Sequence, residues 1–270
     1  MILGIVGVGL LGGSLSLAAR RRQVVTRIVA TDRLPGVLTR AMERGLIDEA
    51  LPSPEAVAAH ADLTVFCTPV DQIAGQALAA APHAKGVLTD VGSTKAAITQ
   101  ALAQVPHFVP GHPLAGSEKQ GPEYAREDLF AGRLVLLTPG AGTAPEAIEQ
   151  VRQFWQALET RVESIDAVEH DRALALTSHL PHLLASALVG ILPAPWRLLT
   201  ASGFRDATRL ASGSVELWRA IFLQNRAALI EALLQLREQL RLYEDALSTA
   251  DLEQLTTLLE QAKHSRDALA

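Results

Sequence analysis

The residues whose types and spacing could do chemistry begin almost at the start of this 270-residue sequence. Gly7-Val8-Gly9-Leu10-Leu11-Gly12 has the spacing of a dinucleotide fingerprint and directly follows an apolar run, Ile2–Val6, that reads as a strand. In such a turn the first glycine permits the tight bend and the second lets backbone approach a pyrophosphate. The third packs helix against strand, and the helix that follows turns its N-terminus to the phosphates. Asp32 closes the second apolar run, and its distance from Gly12 is about the 20 residues at which an acid accepts the ribose hydroxyls. A carboxylate there repels a 2′-phosphate and favours NAD over NADP, although Arg33 beside it could pair with that phosphate. Thr68, in Cys67-Thr68-Pro69-Val70 after the third run, falls where the nicotinamide half would lie. A plain turn with Pro69 opening the next helix fits the same residues.

Two further segments follow later apolar runs: Asp90-Val91-Gly92-Ser93-Thr94-Lys95, and Gly111-His112-Pro113-Leu114-Ala115-Gly116-Ser117. His112 is the natural general base, because an imidazole titrates near neutrality and a loop position beside the nicotinamide lets it reach a substrate hydroxyl. Ser93 is its expected orienting partner. A histidine in a loop is more commonly structural or solvated, so the assignment rests on placement and companions.

The elements needed to position these residues are legible as periodicity. Short apolar runs at Ile2–Val6, Arg27–Thr31, Leu63–Cys67, Gly86–Asp90, His107–Val109 and Arg133–Thr138 alternate with helical patterns at 12–22, 36–44, 71–81 and 95–102. A helix over 145–158 and a last strand near 162–165 complete the series. The fold class implied is α/β: a Rossmann-type, doubly wound, mostly parallel sheet domain over residues 1–166. Beyond Asp166 the pattern is helical to the end, giving an all-helical substrate-binding and dimerisation domain over 167–270. Val215 to Leu247 reads there as one long helix whose apolar stripe, from Trp218 to Tyr243, needs a partner surface.

Composition narrows the possibilities. A formal net charge of −5 with no basic cluster argues against nucleic acid and anionic membranes as partners. The single cysteine, Cys67, excludes an internal disulfide and a cysteine-rich metal site, and fits a reducing cytoplasm; it reads as a small buried hydrophobe. The arginines Arg20, Arg21 and Arg22 follow the first apolar stretch instead of preceding it, so that stretch is a strand entering a helix and not a secretion signal. Leu183 to Leu192 is too short to cross a bilayer, and the expected protein is soluble.

Taken together, the segments around Ser93 and His112 resemble the active-site signatures of prephenate and arogenate dehydrogenases. The resemblance extends from the GVGLLGGS start through SHLPH (178–182) to GFRDATRLA (203–211) and LWRAIFLQN (217–225). It implies an NAD-dependent oxidation of a cyclohexadienyl acid on the way to tyrosine, with His112 removing the ring hydroxyl proton as hydride leaves the same carbon. Four more residues match the family's substrate-binding positions. His170 and His182 would bring imidazoles onto the cofactor, and Arg209 would clamp a substrate carboxylate with Asp206 positioning it; a guanidinium fork fixes orientation as well as charge. Trp218 matches as well, and also fits simple packing. Each has a plainer reading: His170 as a helix-start residue, His179 as a helix-surface histidine, Arg209 as half of an exposed ion pair. His179 and His182 have a metal-compatible spacing, but no third ligand is evident and no metal is expected. Glu118 and Lys119 would gate the site as a salt bridge or be solvated loop charges.

The histidine and arginine set favours prephenate over arogenate, whose ammonium Glu118 or Asp206 could serve. Tyrosine, sharing ring and side chain with the substrate, is expected to compete for the site. No fused mutase or regulatory domain is expected, the assembly is a homodimer, and substrate closes one domain on the other. The runner-up enzyme is a β-hydroxyacid dehydrogenase or imine reductase, which would use a lysine from the helical domain. A non-catalytic NAD sensor is the alternative outside enzymes, and would need no base.

Overall fold

The structure, a computed structural model, describes residues 1–117 and 119–269. Its first part alternates strand and helix: β1 (Ile2–Val6), α1 (Leu10–Arg21), β2 (Arg27–Thr31), α2 (Pro35–Glu43), β3 (Glu49–Ala50), α3 (Pro54–His60), β4 (Leu63–Phe66), α4 (Val70–Ala80), β5 (Val87–Asp90), α5 (Ala96–Ala101) and β6 (Phe108–Val109). The six strands form one parallel sheet in the order β3-β2-β1-β4-β5-β6. Both faces of its centre are covered, which is why β4 and β5 are buried at every position and read as continuous apolar runs. One face packs Leu3, Ile5, Leu15 and Val65 against Phe130 and Trp155. The other packs Val6, Phe66, Ile73 and Leu88 with Ala220 and Ile221 from the helical part, so a single core ties the two parts together.

The chain reverses its strand order between β1 and β4, and the crevice at that switch point lies over the Gly7 turn and Thr68. Next come β7 (Gly111–Pro113), β8 (Leu134–Leu137), α6 (Pro145–Ala157) and β9 (Arg161–Ser164). These three strands make a separate mixed sheet, β7 antiparallel and β9 parallel to β8, where a continuation of the main sheet was expected. His112 is therefore a strand residue opposite Leu136 and not a loop residue. Strand β3, helix α3 and strand β7 were not legible in advance; two- and three-residue strands carry no periodicity. Helix α3 is only seven residues, opened by Pro54 and capped by Ser53 Oγ accepting from Ala56 N at 3.3 Å.

Asp166 caps the first helix of the C-terminal part, its carboxylate accepting from Val168 N at 2.8 Å and Glu169 N at 3.1 Å. That helix, α7 (Ala167–Leu174), runs through a π-turn (Ala175–His179) into α8 (Leu180–Gly190). The resulting continuous helix, Ala167–Gly190, contains an 18-residue stretch with a mean hydropathy of 1.3 and is, by length and composition only, long and apolar enough to cross a membrane. The sequence hid this because His170, Asp171, Arg172, His179 and His182 interrupt its apolar residues. Helices α9 (Ser202–Thr208), α10 (Val215–Gln224), α11 (Arg226–Ser248) and α12 (Leu252–Asp267) follow. The single helix expected over 215–247 is thus two, broken at Asn225.

Candidate active site

The fingerprint turn is shaped as the sequence requires. Gly7 has φ +94°, a conformation that favours glycine, and a side chain on Gly12 would meet the Gly7 carbonyl oxygen. A Cβ on Gly9 would meet nothing within 4 Å, so the backbone there faces open space. Helix α1 has neither a side-chain cap nor an acidic residue in its first turn, which leaves its leading N–H groups free for an anion. Asp32 accepts from Val8 N at 2.9 Å and Leu34 N at 3.0 Å, pinning the glycine turn to the end of β2. Arg33 is exposed beside it. Thr68 Oγ1 donates to Gln76 Oε1 at 2.6 Å, and its Cγ2 lies 3.0 Å from where a Cβ on Gly7 would stand. These residues fit a dinucleotide across the switch point.

At the other end of the crevice, an ion pair with no exposed surface joins Asp90, the last residue of β5, to Lys95. Lys95 Nζ also donates to Gly111 O at 2.9 Å, and Asp90 accepts from Gly92 N at 2.8 Å and Gly111 N at 3.1 Å. This network fixes the start of β7, and with it His112. Burial lowers the Lys95 pKa, and the Asp90 carboxylate opposes that change.

His112 retains 8% of its surface. Its Nδ1 lies 2.9 Å from His170 Nε2, and Nε2 has no hydrogen-bond partner among the described residues. Burial pushes its pKa well below the ordinary histidine value, and His170, Lys95 and His179 add to that shift. The ring is therefore neutral at pH 7, with a nitrogen lone pair available to take a proton. Ser93 makes no side-chain hydrogen bond among the described residues; the partner of His112 is His170, because β7 aims Nδ1 at α7.

His170 is completely buried, and both its ring nitrogens are occupied: Nε2 by His112, Nδ1 by Asp171 Oδ1 at 2.8 Å. It has no nitrogen left for a substrate, so its place is behind His112. Asp171 also accepts from Lys95 N at 2.8 Å and Ala96 N at 2.9 Å, joining α7 to the start of α5. Asn225 Nδ2 donates to Asp171 O at 2.7 Å and lies 3.0 Å from His179 Nδ1. His179 is buried instead of lying on the helix surface, and burial lowers its pKa to about 4. His182 stacks on Trp218 with ring centroids 3.7 Å apart; its Nδ1 is buried without a partner, and burial lowers its pKa. His179 and His182 thus serve different neighbours, and no cluster of three or more metal-ligating side chains stands among the described residues.

Arg209 and Asp206 are exposed, and neither has an ion-pair partner among the described residues. They lie on α9 and the 3₁₀ turn Arg209–Ser212 that packs on α8, the helix carrying His182. Lys119 Nζ sits 5.2 Å from the Tyr124 ring centroid, and Glu118 lies outside the described residues. Sequence reasoning missed Asp90, Lys95, Asp171 and Asn225. The first three stood beside residues it singled out, and an asparagine in the middle of a helical pattern was the available signal for the fourth.

Comparison with known proteins agrees with this geometry. Residues 15–164 match the family described as prephenate dehydrogenase, nucleotide-binding domain, and residues 166–261 match prephenate dehydrogenase, dimerization domain. The cyclohexadienyl dehydrogenase of Zymomonas mobilis is 33% identical, with 99% of this chain and 95% of that protein aligned. The prephenate dehydrogenase of Bacillus subtilis is 32% identical over 97% of this chain and 74% of its own length. The crystal structure of prephenate dehydrogenase from A. aeolicus in complex with hydroxyphenyl propionate and NAD+ superimposes with a TM-score of 0.92 at 29% identity, covering 100% of this chain and 98% of that one. With two family domains in succession and relatives aligned along almost its entire length, this chain belongs to the prephenate dehydrogenase family of oxidoreductases.

Proposed function

We propose that this chain is an NAD-dependent prephenate dehydrogenase, converting prephenate to 4-hydroxyphenylpyruvate and carbon dioxide in tyrosine biosynthesis, with His112 as the general base. The observation that carries this reading is a buried, neutral His112 whose Nε2 has no partner among the described residues, on the strand that follows the carboxyl edge of a dinucleotide-binding sheet. Gly7, Gly9, Leu11, Gly12, Asp32 and Thr68 hold the dinucleotide, which supplies the hydride acceptor when bound. His112 Nε2 takes the ring hydroxyl proton as hydride leaves the same carbon. When the ring carboxylate then departs as carbon dioxide, its electron pair completes the aromatic ring and the ring oxygen becomes a phenolate. His112 returns the proton to that oxygen, so the reaction neither consumes nor releases one. Arg209 clamps a carboxylate, Asp206 positions it, and His182 with Trp218 forms a flat wall for the ring. Ser93, half-buried in the segment that follows β5, keeps its proposed role as an orienting group for His112 once substrate is bound.

The dinucleotide domain spans residues 1–166 and the substrate domain 167–270, with Asp166 as the cap between them. The enzyme is cytoplasmic and homodimeric. Exposed Leu184 and Leu188 on α8 and Ile230 and Leu234 on α11 support the dimer. A second reading, arogenate or dual specificity, draws support from the exposed carboxylate of Asp206 beside Arg209, which suits an ammonium group. The hydroxyacid dehydrogenase alternative loses ground, since Lys263 is the only lysine after residue 166 and it pairs with Asp267 on the exposed α12. The test is the initial rate of reduced-nicotinamide formation with prephenate or arogenate crossed against NAD or NADP. Turnover fastest with prephenate and NAD is expected; no turnover in any combination would overturn the reading.

A further inference from the structure

We infer that Asp171 and His170 are positioning residues that fix which nitrogen of His112 is the base, through a carboxylate–imidazole–imidazole chain reaching across the two parts of the molecule. The inference deepens the proposed function and rests on its assignment of His112.

The proton inventory leads to it. Asp171 Oδ1 can only accept, so His170 must carry its proton on Nδ1, 2.8 Å away. A neutral His170 then offers a lone pair on Nε2, and His112 Nδ1, 2.9 Å distant, must donate to it. That leaves His112 Nε2 bare. Were His170 turned the other way, it would donate to His112 Nδ1, and the proton on His112 would sit on Nε2, where it would block the chemistry.

Asp171 cannot rotate out of this role. Its two oxygens also accept from Lys95 N and Ala96 N at the head of α5, and Asn225 holds its carbonyl. The other charged or titratable groups facing the pair are Lys95, already paired with Asp90, and His179, which lies on the same continuous helix as His170. Asp171 is thus the anion in direct contact with His170, and through it linked to His112. After His112 accepts the substrate proton, the pair carries one positive charge against one carboxylate. The Nδ1 proton is shared with His170, and the carboxylate stays ionised. Both rings are buried, so the proton is held until the phenolate takes it back.

Asp171→Asn separates this role from a structural one. Its NH₂ group, at the Oδ1 position, faces His170 Nδ1 and reverses both rings; the carboxamide oxygen at the Oδ2 position still receives Ala96 N, and the bond from Lys95 N is given up. The experiment is ¹⁵N imidazole NMR of the resting protein, with steady-state kinetics alongside. In the wild type, His112 Nε2 should show the signature of an unprotonated nitrogen and Nδ1 that of a protonated one. In Asp171→Asn these should exchange, with kcat lower by roughly 10²–10⁴-fold and KM and NAD affinity within about threefold of wild type. A wild-type His112 protonated on Nε2 would overturn the inference even if the variant fails to fold. So would a folded variant with unchanged kcat. Absence of turnover in the wild type sinks the proposed reaction instead, and the resting tautomer still decides the relay.

Discussion

His112 and Arg209 are expected to fail in different ways when altered. His112→Asn removes the proton acceptor while keeping a hydrogen-bonding side chain, and kcat should fall about 10²–10⁴-fold with NAD affinity unchanged in a fluorescence titration. Arg209→Ala should act mainly on KM for the substrate, raising it by roughly 10–100-fold, because an exposed, unpaired arginine has little structural work to lose. The buried histidines also set an acid limit on the fold. His179 titrates near 4 in the folded chain against an ordinary 6.5, so the unfolded chain binds more protons between those values. Stability is then fully present above about pH 6.5 and is lost as pH falls toward 4. Thermal melts across that window should show Tm falling with acid, and His179→Gln should flatten the slope.

At the scale of elements, the central parallel strands were legible because both faces are buried and the apolar runs are uninterrupted, and the glycine turn because its spacing is sterically dictated. The second sheet was not, since β7 is three residues long and its pairing with β8 is set by tertiary contact. His112 stood out in Gly111-His112-Pro113, but its hydrogen-bond partner did not. Ser93 was the nearer candidate by motif, whereas the chain fold brings His170 to His112 from 58 residues away. The break at Asn225 was hidden for a related reason: the apolar stripe continues through it, and only the polar side chain turned inward marks the end of α10. Asn225→Ala should leave Asp171 O and His179 Nδ1 without their donor, costing about 1–3 kcal/mol. A Tm lower by roughly 2–10 °C in thermal unfolding is the expected reading.

For the whole molecule, the expectation that substrate brings the helical domain down onto the cofactor meets a constraint. Asp171 and His170 are already bound to α5 and β7 through buried hydrogen bonds, and Ala220 and Ile221 share the core with the sheet. Closure is therefore better assigned to α9 and the turn bearing Arg209. Light scattering should give a mass near twice 28.8 kDa. Replacing Ile230 and Leu234 together by glutamate should yield monomer if α11 forms the interface. Tyrosine should raise the apparent KM without lowering maximal velocity, and unchanged kinetics at high tyrosine would count against competition.

The π-turn at Ala175–His179 bears on how this protein can tolerate change in its length. Such a turn holds one residue more than regular winding needs. Deleting a single residue there would let Ala167–Gly190 wind as an uninterrupted α-helix and would leave α8 near its present orientation relative to α7, because the wide turn already absorbs the extra residue. His182 would stay against Trp218, and only the residues of the turn, His179 among them, would be re-aimed. A shortened chain of this kind should keep its helical content and the stacking of His182 on Trp218. One-residue changes of length in this helix are therefore expected to fall at these five positions.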